Sequence, residues 1–313
     1  MPTITKNFDQ TATPERQKTN SWDEAERIVT GFQFEPDFIA HLMAQDVSPS
    51  DPTTSEYIDS ISAYADSYID VHTQDETLSE DLAAQVQLVA NAALFVERQK
   101  ELSHYEAKLR HTRRLPDDEW RYFQDTLMPY VIWYNQRLSD YVYAHPDDKL
   151  SAVNRALTTT ALNSHPHDAE AVEHSVTDTM RGARKDAVTR QLLDIAGVPY
   201  RPGSQEEDRK GGDIIVTYKG HDVKFDIKSS LIAIADERGG YDEIAEKHLM
   251  YAINKRKGEK VSDHVVKLYP GFEDIDLGDS LGINPDSEFA RTRSTVVAGQ
   301  IMRALNELGL NAE

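Results

Sequence analysis

A chain of 313 residues with 54 Asp and Glu against 34 Lys and Arg, 39% hydrophobic residues and no cysteine has the composition of a globular protein long enough for two domains. The missing cysteines exclude disulfide frameworks, thiolate zinc sites, iron–sulfur clusters and cysteine nucleophiles, leave oxygen and imidazole as metal donors, and fit a reducing cytoplasm. A net charge of −20 argues against a passive nucleic-acid coat, because phosphate binding needs a basic footprint.

Residues 1–20 are polar, hold two prolines and show no periodicity, so a disordered tail is expected. They lack the apolar run of a signal peptide. The most apolar stretch, Leu88 to Val96, is interrupted by Asn91 and too short to span a bilayer, so an intracellular, cytoplasmic protein without membrane segments is expected. From 21 to 165 the pattern is helical: Leu82, Val86, Val89, Ala93 and Val96 recur at steps of three and four, as do Phe123, Leu127, Tyr130, Tyr134, Leu138 and Tyr141. Pro129 should kink or split the second of these helices. At helical spacing Trp120, Tyr122, Tyr130, Trp133 and Tyr134 read as core, not as a platform for stacked bases. Residues 1–165 carry 27 acids and 14 bases, a net of −13.

The segment ALNSHPHDAE reads as a hinge between a helical domain, 21–165, and a second domain, 166–313. Here His165, His167, Asp168, Glu170 and His174 form a candidate metal cluster, and the adjacent His-Asp resembles the all-helical HD phosphohydrolases. The simpler reading has Asp168 capping the next helix with the imidazoles exposed. Beyond the hinge the elements alternate: a helix from about 168 to 196 closed by Gly197, a short extended VPY, two strands around Lys219-Gly220, a helix from about 242 to 257, a strand HVVKLY and a helix from about 287 to 309. That is an α/β unit. GxxxxGK[ST], GxSxG and GxGxxG are absent, which leaves nucleotide triphosphate hydrolysis, a hydrolase elbow and a dinucleotide fold without support.

The most informative stretch is GGDIIVTYKGHDVKFDIKSS, Gly211 to Ser230, two β-rich runs around a Lys-Gly pair suited to a two-residue hairpin loop. If Tyr218 faces His221, then Val216 faces Val223 and Asp213 faces Asp226. Ile214, Val216, Tyr218, Val223, Phe225 and Ile227 then share a core face. Asp213, Ile215, Thr217, Asp222, Lys224, Asp226 and Lys228 share the other. Two carboxylates opposed at roughly 5 Å destabilise a sheet unless something neutralises them. A divalent cation does so economically, since Mg²⁺ is bound through one or two carboxylates plus substrate phosphate. Lys228 is placed to orient a water or offset charge developing on phosphate.

Asp213, a spacer of twelve residues, then Asp226-Ile227-Lys228 resembles the PD-(D/E)xK nuclease superfamily, with Gly212-Asp213 at the Pro-Asp position. The family's preceding helix, G-x-x-x-E followed by V, L and G, is similar to Gly182, Asp186, Val188, Leu192 or Leu193, and Gly197, with Gly182 allowing close approach to a sheet. The resemblance covers roughly 168 to 269 and implies a restriction-endonuclease-like core (helix, three strands, helix, strand) behind an N-terminal α-helical domain. It further implies Mg²⁺-dependent cleavage of double-stranded DNA, in the manner of a homodimeric type II restriction endonuclease. Asp213 and Asp226 would hold metal, Lys228 would assist the water, and Asp186 would complete the acidic set. Asp186 stands where the family usually has Glu, and Glu173 and Asp178 are the alternatives on that helix. Arg181, Arg184, Lys185 and Arg190, in a segment of net charge +2 (residues 181–229, ten bases against eight acids), and the turn Lys255 to Lys260 offer phosphate contacts. The reading from a different class is a non-catalytic interaction protein, either a degenerate nuclease fold or a helical scaffold whose acidic N-terminal region binds a basic partner.

Overall fold

The computed structural model describes residues 21–32, 55–165, 167–238, 248–254 and 264–310. The expected disordered tail, 1–20, and the basic turn, 255–260, lie outside them. The chain folds as a mixed α/β structure in which a layer of helices abuts a five-stranded sheet.

The described helices of the first half are α1 (Ser21–Thr30), α2 (Ser55–Gln74), α3 (Glu80–Thr112), α4 (Asp117–Tyr122), α5 (Met128–Ala144) and α6 (Leu150–Ser164). Helix α3 starts at Ser79, whose hydroxyl accepts the Leu82 N–H. Its stripe Val86, Val89, Ala93 and Val96 is buried, as are Leu127, Tyr134 and Leu138 on the neighbouring stripe. The disturbance expected at Pro129 takes the form of a π-helical turn, Phe123–Leu127, between α4 and α5. There the Met128 N–H reaches back five residues to the Phe123 carbonyl, which makes room for a ring that would clash with a normal helical turn. Of the five aromatics read as core, only Trp120 keeps substantial exposure, at 45%.

Helix α7 (Ala169–Ala196) belongs to two cores. Val172, Val176, Met180, Ala183 and Ala187 pack among the preceding helices. Val188, Leu192 and Leu193 pack with the sheet. Asp168 occupies the N-cap position, but its carboxylate pairs with Lys100 and not with the helix amides, so the expected capping role is not seen. Gly197 ends α7 in the left-handed conformation, φ 66°, as expected.

The sheet comprises β1 (Tyr200–Pro202), β2 (Ile214–Tyr218), β3 (His221–Ile227), β4 (Tyr251–Asn254) and β5 (Val265–Leu268), in the order β1-β2-β3-β5-β4. Only β3 and β5 are parallel. The β2–β3 register is the expected one: Tyr218 faces His221 and Val216 faces Val223. Lys219 and Gly220 both adopt positive φ, 50° and 76°, as a type I′ turn demands. Ile214, Val216, Val223 and Phe225 are buried on the core face against α7 and the last long helix, while Tyr218 and Ile227 are half-buried.

The short helices are α8 (Gln205–Asp208), α9 (Ile232–Arg238) and α10 (Asp274–Leu277), and the last long helix is α11 (Glu288–Glu307). The helix expected from 242 to 257 is overturned where it is described. Residues 251–254 form β4, because Tyr-Ala-Ile-Asn finds the open edge of β5 and the ladder outweighs a weak helical pattern. Residues 242–247 and 255–257 lie outside the described part, and the helix that follows β3 is α9.

Candidate functional site

Asp213 precedes β2, one position beyond the last ladder pair Ile214–Phe225, and therefore lies beside Asp226 of β3. One carboxylate oxygen of Asp213 accepts the backbone N–H of Ile227 at 2.6 Å. Asp226 pairs with Lys228, Nζ to Oδ1 at 2.7 Å. Two further acids converge from other elements. Asp186 of α7 accepts from the Ser139 hydroxyl and lies 3.3 Å from Arg190 Nε, while its second oxygen is buried with no hydrogen-bond partner. Asp208, at the end of α8, accepts from Gln136 Nε2 at 3.0 Å.

The electrostatics record this crowding. Burial, then the charges of Asp226, Asp186 and Asp208, hold the Asp213 carboxyl well above the usual range, against the Ile227 amide that favours its charged form. Burial, with Asp186 and Asp226 adding, pushes Asp208 up to about 6, opposed by Gln136. Burial raises Asp186 as well, with Arg190 and Ser139 pulling the other way.

Glycines place the loop that carries Asp208. A Cβ on Gly203 would sit 1.8 Å from the Gly212 carbonyl oxygen, so only glycine lets the end of β1 approach the residue ahead of Asp213. The Gly203 N–H donates to Asp213 O at 2.9 Å. Ser204 and Glu207 cap α8 reciprocally, and Gly211, φ 80°, turns the chain back into β2. Sequence reasoning missed Asp208. The available signal was the Ser204-x-x-Glu207 box ahead of Gly211-Gly212, which marks a capped turn leading into Asp213.

At one end of a cleft of about 1050 Å³ the lining includes Asp186, Asp208, Asp213 and Ile227. Helix α7 forms one wall from Glu170 to Arg190, and residues of α3 and α5 face it. At the far end His174 pairs with Asp178 at 2.9 Å. Asp178 also meets Arg181, and Glu173 is exposed, so Asp186 is the helix acid brought to the hairpin. A Cβ on Gly182 would meet nothing within 4 Å. The residue lies on the cleft wall and does not mediate the expected approach to the sheet.

The His165–His174 cluster does not gather. His165 contacts the Ala93 carbonyl at 3.2 Å and His167 is exposed. The phosphate contacts expected of α7 are also corrected. Arg184 is fully buried and bonds Asp274 at 3.2 Å and the carbonyls of Gly278 and Ser280 at 3.1 and 2.6 Å. Lys185 is buried with its ammonium 4.1 Å from the Phe272 ring centre, and Arg190 is buried against Asp140 at 2.8 Å. Remote partners on the 272–281 segment and on α5 engage these bases, which leaves Arg181 as the exposed one of the four.

Among the described residues no group of three or more His, Asp or Glu side chains is gathered closely enough to hold a metal ion. Mg²⁺ does not require one, because it is held through one or two carboxylates with water and phosphate completing the shell. The all-oxygen donor set and the buried, unpaired oxygen of Asp186 fit that open form. Among the described residues no helix is long and apolar enough to cross a membrane. Compared with protein-family models, curated proteins and solved structures, the chain matches none.

Proposed function

We propose that the chain is a Mg²⁺-dependent endonuclease that hydrolyses phosphodiester bonds in DNA, with its site at Asp213, Asp226, Lys228 and Asp186. The observation that carries this reading is the convergence of Asp186 and Asp208 on the Asp213–Asp226 pair beside Lys228. Four acids gathered near one another are costly in a metal-free fold, and a cation-dependent reaction gives the arrangement a purpose. Mg²⁺, when bound, supplies positive charge that polarises the scissile phosphate.

Asp213 and Asp226 would hold the cation, with Asp186, whose second oxygen is buried and unpaired, completing the acidic set. The Lys228 ammonium orients the attacking water and offsets charge on the phosphate oxygens. Asp208, whose carboxyl is pushed up to about 6, is suited to exchange a proton near neutral pH. The resemblance of the hairpin extends the proposal to a type II restriction endonuclease acting on duplex DNA as a homodimer, since two nicks in opposite strands suit a two-fold complex. Incubation with plasmid DNA in Mg²⁺ and in EDTA tests the reading: cleavage only in Mg²⁺ supports it.

One observation favours a second reading. The cleft is lined by seven Asp and Glu against one Lys and one Arg, which suits an interaction protein that takes a basic partner. That protein would leave DNA intact in every metal.

A further inference from the structure

Gln136 and Ser139 lie one turn apart on α5, on the face that also carries Asp140 and Tyr143. The Gln136 amide donates to Asp208 at 3.0 Å and reaches the Gly203 carbonyl at 3.4 Å, so it ties both ends of the α8 loop to α5. The buried Ser139 hydroxyl donates to Asp186 and receives Arg190 Nη2 at 3.3 Å, while Arg190 Nη1 bonds Asp140 at 2.8 Å. Two of the four converging carboxylates are thus held by a helix that lies more than 60 residues from the hairpin in sequence.

We infer that Gln136 and Ser139 are positioning residues of the metal site, so that helix α5, from the half of the chain without nuclease-like motifs, completes the site. The inference rests on the metal-dependent reading above. Each donor fixes one oxygen of its carboxylate. In Asp186 the hydroxyl and Arg190 engage Oδ2 and leave Oδ1 as the buried, unpaired acceptor. In Asp208 the amide engages Oδ2. Without these donors Asp186 and Asp208 can rotate toward other partners, and the acidic surroundings of Asp213 and Asp226 are no longer held ready for a cation, which weakens its binding. The same face ends in a contact away from the site: the Tyr143 hydroxyl donates to Asp194 at 2.6 Å. That contact joins α5 to α7 without touching any of the four acids, and it provides a control.

The test is calorimetric titration of Mn²⁺ into the full chain, which needs no turnover. The wild type should bind Mn²⁺, Ser139→Ala and Gln136→Leu should each bind at least fivefold more weakly, Ser139→Thr should recover affinity to within about twofold, and Tyr143→Phe should match the wild type. If the wild type binds and both Ser139→Ala and Gln136→Leu bind equally well, the positioning role is overturned while the metal site stands. If Tyr143→Phe weakens binding as much as Ser139→Ala does, a general loosening of α5 replaces it. If the wild type binds no Mn²⁺, the metal reading fails and this inference falls with it. Gln136→Leu alters a partly buried side chain, so it keeps the test open should Ser139→Ala fold poorly.

Discussion

The β2–β3 hairpin and helix α7 carry a similar mixture of acids and bases, yet the two regions use them in opposite ways. In the hairpin, Asp213 and Asp226 find partners within the hairpin itself, the Ile227 amide and the Lys228 ammonium, and Asp213 lines a cleft. In α7, Arg184, Lys185 and Arg190 are buried against Asp274, Phe272 and Asp140, groups 50 to 90 positions away. The acid of the hairpin that lines the cleft remains available to a ligand, whereas the buried bases of α7 hold the fold together. A locally basic run in a sequence therefore does not mark a phosphate track unless its side chains are known to lack internal partners.

The dependence of α7 on its bases should be greatest at Arg184, which is fully buried. Replacing it by Ala should destabilise the protein by about 3–5 kcal/mol, as expected for a buried charge removed from its partners, measured by urea denaturation. Stability within a few tenths of a kcal/mol of wild type would mean that α7 does not depend on its buried bases.

A smaller effect of opposite sign is expected at Asp208. Burial holds the Asp208 proton up to about 6 in the folded chain, whereas an exposed carboxyl in the unfolded chain releases it near 3.8. Between those values the folded state binds more protons, so stability falls as pH rises through the window and the deficit is constant above it. Asp208→Asn removes the deficit. In EDTA it should stabilise the protein at pH 7 by at most roughly 2–3 kcal/mol, and the gain should shrink to almost nothing at about pH 3, where both states are mostly protonated. Equal gains at the two pH values would show that crowding of charge is not the cause. The smallest effect belongs to Arg181, whose side chain is 42% exposed. Arg181→Ala should change stability by less than about 0.5 kcal/mol, and a loss as large as that of Arg184→Ala would erase the distinction between exposed and buried bases.

How much of this was legible follows from where each group finds its partner. The hairpin was readable because a two-residue loop fixes register between adjacent stretches, so the pairing of Tyr218 with His221 carried Asp213 to Asp226. The helical stripes of α3 and α5 were readable for the same local reason. Asp208 was hidden because it reaches the site only when the 203–212 loop folds back on glycines that pack at van der Waals limits. The roles of Arg184 and Lys185 were hidden because their partners arrive with the segment after β5. Strand β4 was missed because an edge strand is defined by the neighbour that accepts its ladder, and that neighbour, β5, lies later in the chain.

The central claim is that the carboxylates meeting at Asp213 hold a cation that drives phosphodiester hydrolysis, and cleavage of plasmid DNA by the wild type and by Asp213→Asn tests it most directly. The account predicts cleavage by the wild type in Mg²⁺ and none in EDTA. It predicts none by Asp213→Asn in either, with an unchanged circular dichroism spectrum, because the substitution removes a charge from the crowded cluster and leaves the core face of the hairpin untouched. Full Mg²⁺-dependent cleavage by Asp213→Asn, or intact plasmid with the wild type in Mg²⁺, would contradict it.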